Sequence, residues 1–216
     1  MNTDPAACAQ CAQLRKQLAD KDALIAALIA ETEELTRFDA LTGAYNRRSM
    51  VELLTTELQR SYRTGHPFCF AIIDIDHCGQ INDEFGTAIG DAVLKMVSKA
   101  SVKLLRVLDR FGRMENDAFG IMMPATWPDQ GGLAMVRLYK ALAECDWPNV
   151  IPGQTMTVST GLTSNAPQDT AELLISRAET ALAQAKAEGG NKVCTLEQAL
   201  PESEHEHDDD DMSAFM

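Results

Sequence analysis

The chain has 216 residues, 45% of them hydrophobic and 24% charged, enough for one domain with a sizeable core plus extensions. No run of 18 or more apolar residues occurs, and the opening MNTDPAACAQC lacks the basic-then-apolar layout of a signal peptide, so the expected protein is soluble, cytoplasmic and free of the membrane. The net charge is −13, and residues 202–211 hold seven acids and no Lys or Arg, so more than half of the acidity belongs to the tail, and the balance argues against non-specific nucleic-acid binding.

Six scattered cysteines fit a reducing compartment better than a disulfide framework. Cys8-Ala-Gln-Cys11 is half of a zinc site or a redox motif, but no second pair of ligands follows. It reads as two thiols on a helix end, with a redox or cross-dimer disulfide role as the alternative. Residues 8–37 place Cys11, Leu14, Leu18, Ile25, Leu28 and Leu35 at alternating steps of three and four, with Lys21 and Thr32 in the remaining seam positions. That heptad pattern predicts a coiled coil through which two copies pair, making residues 1–38 an N-terminal dimerisation helix. A solitary amphipathic helix packed on its own domain is the competing reading.

Gly43 breaks this helix, and Asn46 is placed to cap the next one, which runs through Leu53, Leu54 and Leu58 to about Arg63. Pro67 to Asp74 (PFCFAIID) is a short apolar run rich in β-formers, a buried strand with Asp74 at its carboxyl end, where open α/β sheets place ligand chemistry. Residues 87–105 carry Ile89, Val93, Met96, Val97, Ala100 and Leu104 at helical spacing. From Arg106 to Pro124 (RVLDRFGRMENDAFGIMMP), two apolar runs flank polar Glu115-Asn116-Asp117, which predicts a hairpin with its tip at Glu115-Asn116 and its first strand already under way at Val107-Leu108. A helix over 131–144, ended by Trp147-Pro148, a strand over 154–163, a helix over 169–188 and a short strand over 192–195 complete the order. Residues 197–216, with PESEHEHDDDD, are too charged to fold alone and read as a solvated acidic tail, His205 and His207 being at most a weak metal site.

Four stretches resemble the diguanylate cyclase family known as GGDEF domains, which make cyclic di-GMP from two GTP. Asp39-Ala-Leu-Thr-Gly-Ala-Tyr-Asn-Arg-Arg48 is similar to the family's D-x-L-T-G-x-x-N-R-R. Residues 74–83 (DIDHCGQIND), with Gly90-Asp91 after them, resemble D-I-D-x-F-K-x-I-N-D…G-D. Arg113-Met-Glu-Asn-Asp-Ala-Phe119 occupies the frame of the R-x-G-G-D/E-E-F hairpin, and residues 178–193 resemble A-D-x-A-L-Y-x-A-K-x-x-G-R-N-x-V. The likeness spans Asp39 to about Val193. It implies an α/β (α+β sandwich) domain over residues 39–196, with the palm-like nucleotidyl-cyclase fold and one mainly antiparallel sheet.

By the same resemblance, Asp74, the Ile75 carbonyl and Asp117 would hold a metal ion, Asn82 and Asp91 would bond the guanine edge, and Lys186 would meet the triphosphate. Four parts of that site are altered here. Ala118 stands where the family has a second acid, Glu115 and Asn116 replace two glycines whose bare backbone lets the substrate lie close, and Gly79 and Gly190 stand where the family has a phosphate-binding Lys and Arg. The expectation is therefore a degenerate, inactive cyclase with no required cofactor, Mg2+ entering only if a nucleotide such as GTP still occupies the vestigial site. Arg106-Val-Leu-Asp109 lies five residues ahead of the hairpin motif, the register of the family's R-x-x-D inhibitory site, so Arg106 and Asp109, with Arg137 as a further candidate, are expected to bind cyclic di-GMP. That makes the domain a signalling module with a protein partner still to be identified. The alternatives are a residual diguanylate cyclase and a ligand-free dimeric scaffold.

Overall fold

The computed structural model describes residues 13–25, 28–29 and 37–198. Residues 13–25 are helical, and Leu14, Leu18, Ile25 and Leu28 of the expected seam are exposed in the single chain. Cys8, Cys11, Thr32, Leu35 and the tail with His205 and His207 lie outside the described residues. Among the described residues, no helix is long and apolar enough to cross a membrane.

From residue 46 the chain forms α1 (Arg47–Thr64), β1 (Cys69–Ile75), α2 (Cys78–Phe85), α3 (Thr87–Leu104), β2 (Arg110–Glu115), β3 (Ala118–Met123), α4 (Pro128–Ala143), a 3-10 turn (Trp147–Asn149), β4 (Val158–Ser164), α5 (Ala171–Ala187) and β5 (Val193–Thr195). The strands make one sheet in the order β2-β3-β1-β4-β5, antiparallel except for the parallel β4–β5 pair. The expected α/β sandwich with a mainly antiparallel sheet is thus the observed architecture.

β1 is central and buried along its whole length, because helices cover both faces of the sheet. Alternation divides its side chains: Cys69, Ala71, Ile73 and Ile75 join the core under α3 and α4, while Phe68, Phe70 and Ile72 join the core under α1 and α5. Asp74 belongs by parity to the second set and so faces the layer that α5 supplies.

Asn46 caps α1 as expected, its side chain accepting from the Ser49 N–H at 2.9 Å. Several boundaries move. α4 starts earlier than expected, at Pro128, and β4 starts later, at Val158. Sequence periodicity assigns no helix to residues 78–85, yet α2 forms there, burying only Cys78 and Ile81.

The hairpin also differs. Glu115 pairs with Ala118, so the tip is Asn116-Asp117 rather than Glu115-Asn116, and Asn116 takes φ +28°, a conformation that two-residue hairpin turns need and Asn tolerates. A register shift between Arg113 and Glu115 accompanies this, and Met114 between them is buried in the core under α1 and α5. Val107 and Leu108 are not in a strand; they are 92% and 62% exposed in a turn closed by the Asp109 N–H on the Arg106 carbonyl (3.0 Å) and by the Arg106 N–H on Asp109 Oδ2 (2.8 Å).

Candidate functional site

The end of β1 gathers the residues that the sequence singles out. Asp74 is opposite Ala118 on β3 and Ser159 on β4, so the hairpin tip and the start of β4 flank it. Asp74 is 8% exposed, and Lys186 on α5 places its Nζ 2.6 Å from Asp74 Oδ1. Burial pushes the Asp74 carboxyl above its usual range, Lys186 draws it back, and the charges of Asp117 and Asp76 push it further up. Burial first and the nearby Asp117 carboxylate second push the Cys78 thiol up to about 11. Lys186, expected to meet a triphosphate, is paired with Asp74 in the absence of a nucleotide.

Asp76, two residues beyond, is fixed by three donors: Thr157 Oγ1 at 2.7 Å, Ser159 Oγ at 2.6 Å and the Asn191 N–H at 3.1 Å. Gly190 has φ +72°, and a Cβ there would come to 3.3 Å from Asp76 Oδ1, so the position in which the family carries arginine is a bare, left-handed turn against that carboxylate. Arg113 braces the hairpin from behind. It pairs with Asp39 at 3.2 Å and donates through Nε to the Asn116 carbonyl at 2.8 Å. Glu115 is exposed with Arg47 at 3.5 Å, so the charge that the sequence sets against an anionic nucleotide has a cation beside it. The Asn82 amide of α2 covers the space that a Cβ on Gly90 of α3 would fill, and Asp91, the next residue, is exposed.

This donor set does not suit a divalent ion. Asp74 is engaged by an ammonium, Ala118 offers no side-chain oxygen, and no group of three His, Cys, Asp or Glu among the described residues is arranged to hold a metal.

A second site lies on the other face of the sheet. A cavity of about 120 Å³ is lined by Arg106, Asp109, Arg137, Leu105, Met123 and Ala134, among others. Arg137, which the sequence leaves unplaced, comes from α4, while Arg106 and Asp109 come from the turn before β2. Both arginines are exposed. Arg110 is turned away from this use, donating to the carbonyls of Val107 and Asp109 at 2.9 Å each, and Arg113 belongs to the hairpin.

Sequence reasoning missed the roles of Asp76, Asp39 and Cys78. Asp39 stands in a quoted motif, but its partner Arg113 is 74 residues away, and nothing local signals the pairing.

The model of the diguanylate cyclase GGDEF domain family matches residues 36–192. This chain therefore belongs to that family. It is 35% identical over 155 residues to the diguanylate cyclase DgcP of Pseudomonas aeruginosa, covering 72% of this chain and 23% of that protein. It is 34% identical over 156 residues to the probable diguanylate cyclase DgcC of Escherichia coli, covering 71% of this chain and 42% of that protein. The chain thus spans less than half the length of these curated relatives. Among solved structures, the coiled coil and GGDEF domain of DgcB from Caulobacter crescentus in complex with cyclic di-GMP shares the fold, with TM-score 0.70 at 24% identity, covering 85% of this chain and 99% of that one. The diguanylate cyclase SiaD of Pseudomonas aeruginosa, solved with its activator SiaC, superposes with TM-score 0.70 at 29% identity, covering 89% of this chain and 75% of that one.

Proposed function

We propose that this domain is a catalytically degenerate member of its family that acts as a cyclic di-GMP receptor through Arg106 and Asp109, with Arg137 as the third contact. The observation that carries the reading is the cavity that joins these three side chains from two separate elements. An arginine fork suits a phosphate or the Hoogsteen edge of guanine, and a carboxylate suits the paired N–H groups of guanine. A related GGDEF domain at 29% identity, covering 74% of this chain and 96% of that one with TM-score 0.64, is solved in an interaction with cyclic di-GMP, which supports the ligand class.

Degeneracy follows from the electrostatics of the hairpin site. Cyclisation needs a metal-neutralised triphosphate and a developing charge met by fixed donors, and removing one such donor typically raises the barrier by about 2.7 to 4 kcal/mol. Here the second acid is Ala118, two cations are Gly79 and Gly190, and Lys186 is held by Asp74. A receptor of this kind requires no metal. It pairs with a second copy through the N-terminal heptads and signals to a partner protein of its own.

The test is titration calorimetry with cyclic di-GMP. Wild type binds, and Arg106→Ala weakens binding by about ten- to 150-fold, the worth of a charge-assisted fork of roughly 1.5 to 3 kcal/mol. Equal affinity of the two, or no heat with wild type, refutes the receptor. Cyclic di-GMP formed from GTP and Mg2+ above a no-enzyme blank would refute the degeneracy and establish the residual-cyclase reading.

A further inference from the structure

Asp74 is buried at the end of the central strand, and its side chain retains 12% exposure. A carboxylate there needs a cation, since an uncompensated charge out of water is costly. Relatives that act as cyclases belong to a fold that implies a divalent ion at this point, but the groups here point elsewhere. Lys186 reaches Asp74 from α5 and donates to Oδ1 at 2.6 Å, the short distance of a charge-assisted hydrogen bond. Mg2+ would have to sit about 2.0 to 2.1 Å from the same oxygen, so the ammonium and the ion cannot both occupy that point. Ala118, opposite Asp74 on β3, supplies no third carboxylate.

We propose that the ammonium of Lys186 is the resident cation of this site, a tethered substitute for the divalent ion that makes the hairpin end of the sheet metal-independent. Lys186 is then not waiting for a phosphate. It neutralises the carboxylate of Asp74, beside which Asp117 also lies, and its side chain, 47% exposed, reaches in from solvent. Divalent cation is shut out of the Asp74–Asp117 pair by occupancy. The proposal rests on the degenerate reading of the hairpin but not on cyclic di-GMP binding, which uses other residues on the opposite face of the sheet.

The test counts bound Mn2+ by its electron paramagnetic resonance signal, as a difference between variants of the full chain, because the acids of residues 202–211 take up some ion in every one of them. Wild type and Asp74→Asn/Asp117→Asn are expected to bind the same number of ions. Lys186→Met, which keeps the stem and removes the charge, is expected to bind one more, at least tenfold more tightly than the background, and Lys186→Met/Asp117→Asn loses that extra ion. If the double carboxylate variant binds one ion fewer than wild type, the wild-type site already holds a metal and the proposal falls, whatever the stability of the Lys186 variants. If folded Lys186→Met binds no extra ion, the lysine is not what excludes it, and the proposal falls again. A calorimetric titration of Lys186→Met with cyclic di-GMP, expected to match wild type, separates failure here from failure of the receptor.

Discussion

Gly161 on β4 fixes how closely α5 approaches the sheet, and replacing it by alanine tests whether the Lys186–Asp74 pair depends on that approach. A Cβ at Gly161 would stand 2.0 Å from the Ala178 carbonyl oxygen and 2.3 Å from the Leu182 nitrogen, both main-chain atoms of α5. No rotamer change relieves such an overlap, so the helix has to withdraw by about 1.4 Å to restore an ordinary separation of 3.4 Å. Overpacking a well-filled core costs typically 1 to 3 kcal/mol, and a backbone clash belongs at or beyond the upper end, so about 3 kcal/mol is expected. For a domain of this size that lowers Tm by about 6 to 12 °C. Gly132 in α4 is the control, since a Cβ there meets nothing within 4 Å and the backbone is helical. Gly132→Ala is expected to stabilise by roughly 0.5 to 1 kcal/mol through helix propensity alone. Urea unfolding followed by circular dichroism measures both. If Gly161→Ala lies within about 1 kcal/mol of wild type, below the overpacking range, α5 is not held where the structure has it, and the geometry of the Lys186–Asp74 pair loses its support.

Arg177→Met leaves Asp169, whose side chain is 1% exposed, without the guanidinium that meets both its oxygens at 3.0 and 2.6 Å; a loss of about 3 to 5 kcal/mol in urea unfolding is expected, as for other broken buried pairs. Asp39 is pushed up by burial, but the Thr42 hydroxyl and N–H and the Arg113 guanidinium outweigh this and hold its carboxyl below the ordinary 3.8. A depressed folded value stabilises the fold above the unfolded value and is lost as pH falls through the folded one, so Asp39→Asn is less stable than wild type at pH 7, and the gap in Tm closes as pH drops below 3.8. Amide exchange with and without cyclic di-GMP is expected to show new protection at residues 105–110 and in α4 but none in α5; protection confined to α5 and the hairpin tip would place the ligand at the other site.

The parts of this fold legible in the sequence are those set by neighbours in the chain. The unbroken apolar run of β1 announces a strand covered on both faces, and Asn46 announces the start of α1 through a bond to a residue three positions on. α2 carries no such signal, because it starts at an uncapped His77 with φ 59° and buries only two of its eight residues. Val107 and Leu108 mislead because their hydrophobicity suggests a strand, whereas the Asp109 carboxylate bends the chain back on Arg106 and leaves both in solvent. At the site, the register that brings Asp74 beside the hairpin is readable from motif spacing, but the partners of Asp76 are 81 and 83 residues distant, and Arg137, which lines the cavity with Arg106, comes from α4.

The period of the central strand connects both sites. Because Phe70 and Ile72 lie under α5, Asp74 two residues later must lie there too, and a lysine in the last turn of α5 is the nearest long cation. The ion pair is therefore a consequence of strand parity, not of a loop that happens to fold over. The cavity of Arg106, Asp109 and Arg137 is floored instead by Ile121, Met123, Met135 and Leu138, which belong to the core on the α3 and α4 face. β3 reaches both, with Ala118 beside Asp74 at one end and Met123 in the cavity at the other. If the two proposals hold, the ligand site of this domain lies on the far face of the sheet, and β3 is the element that connects it to the hairpin.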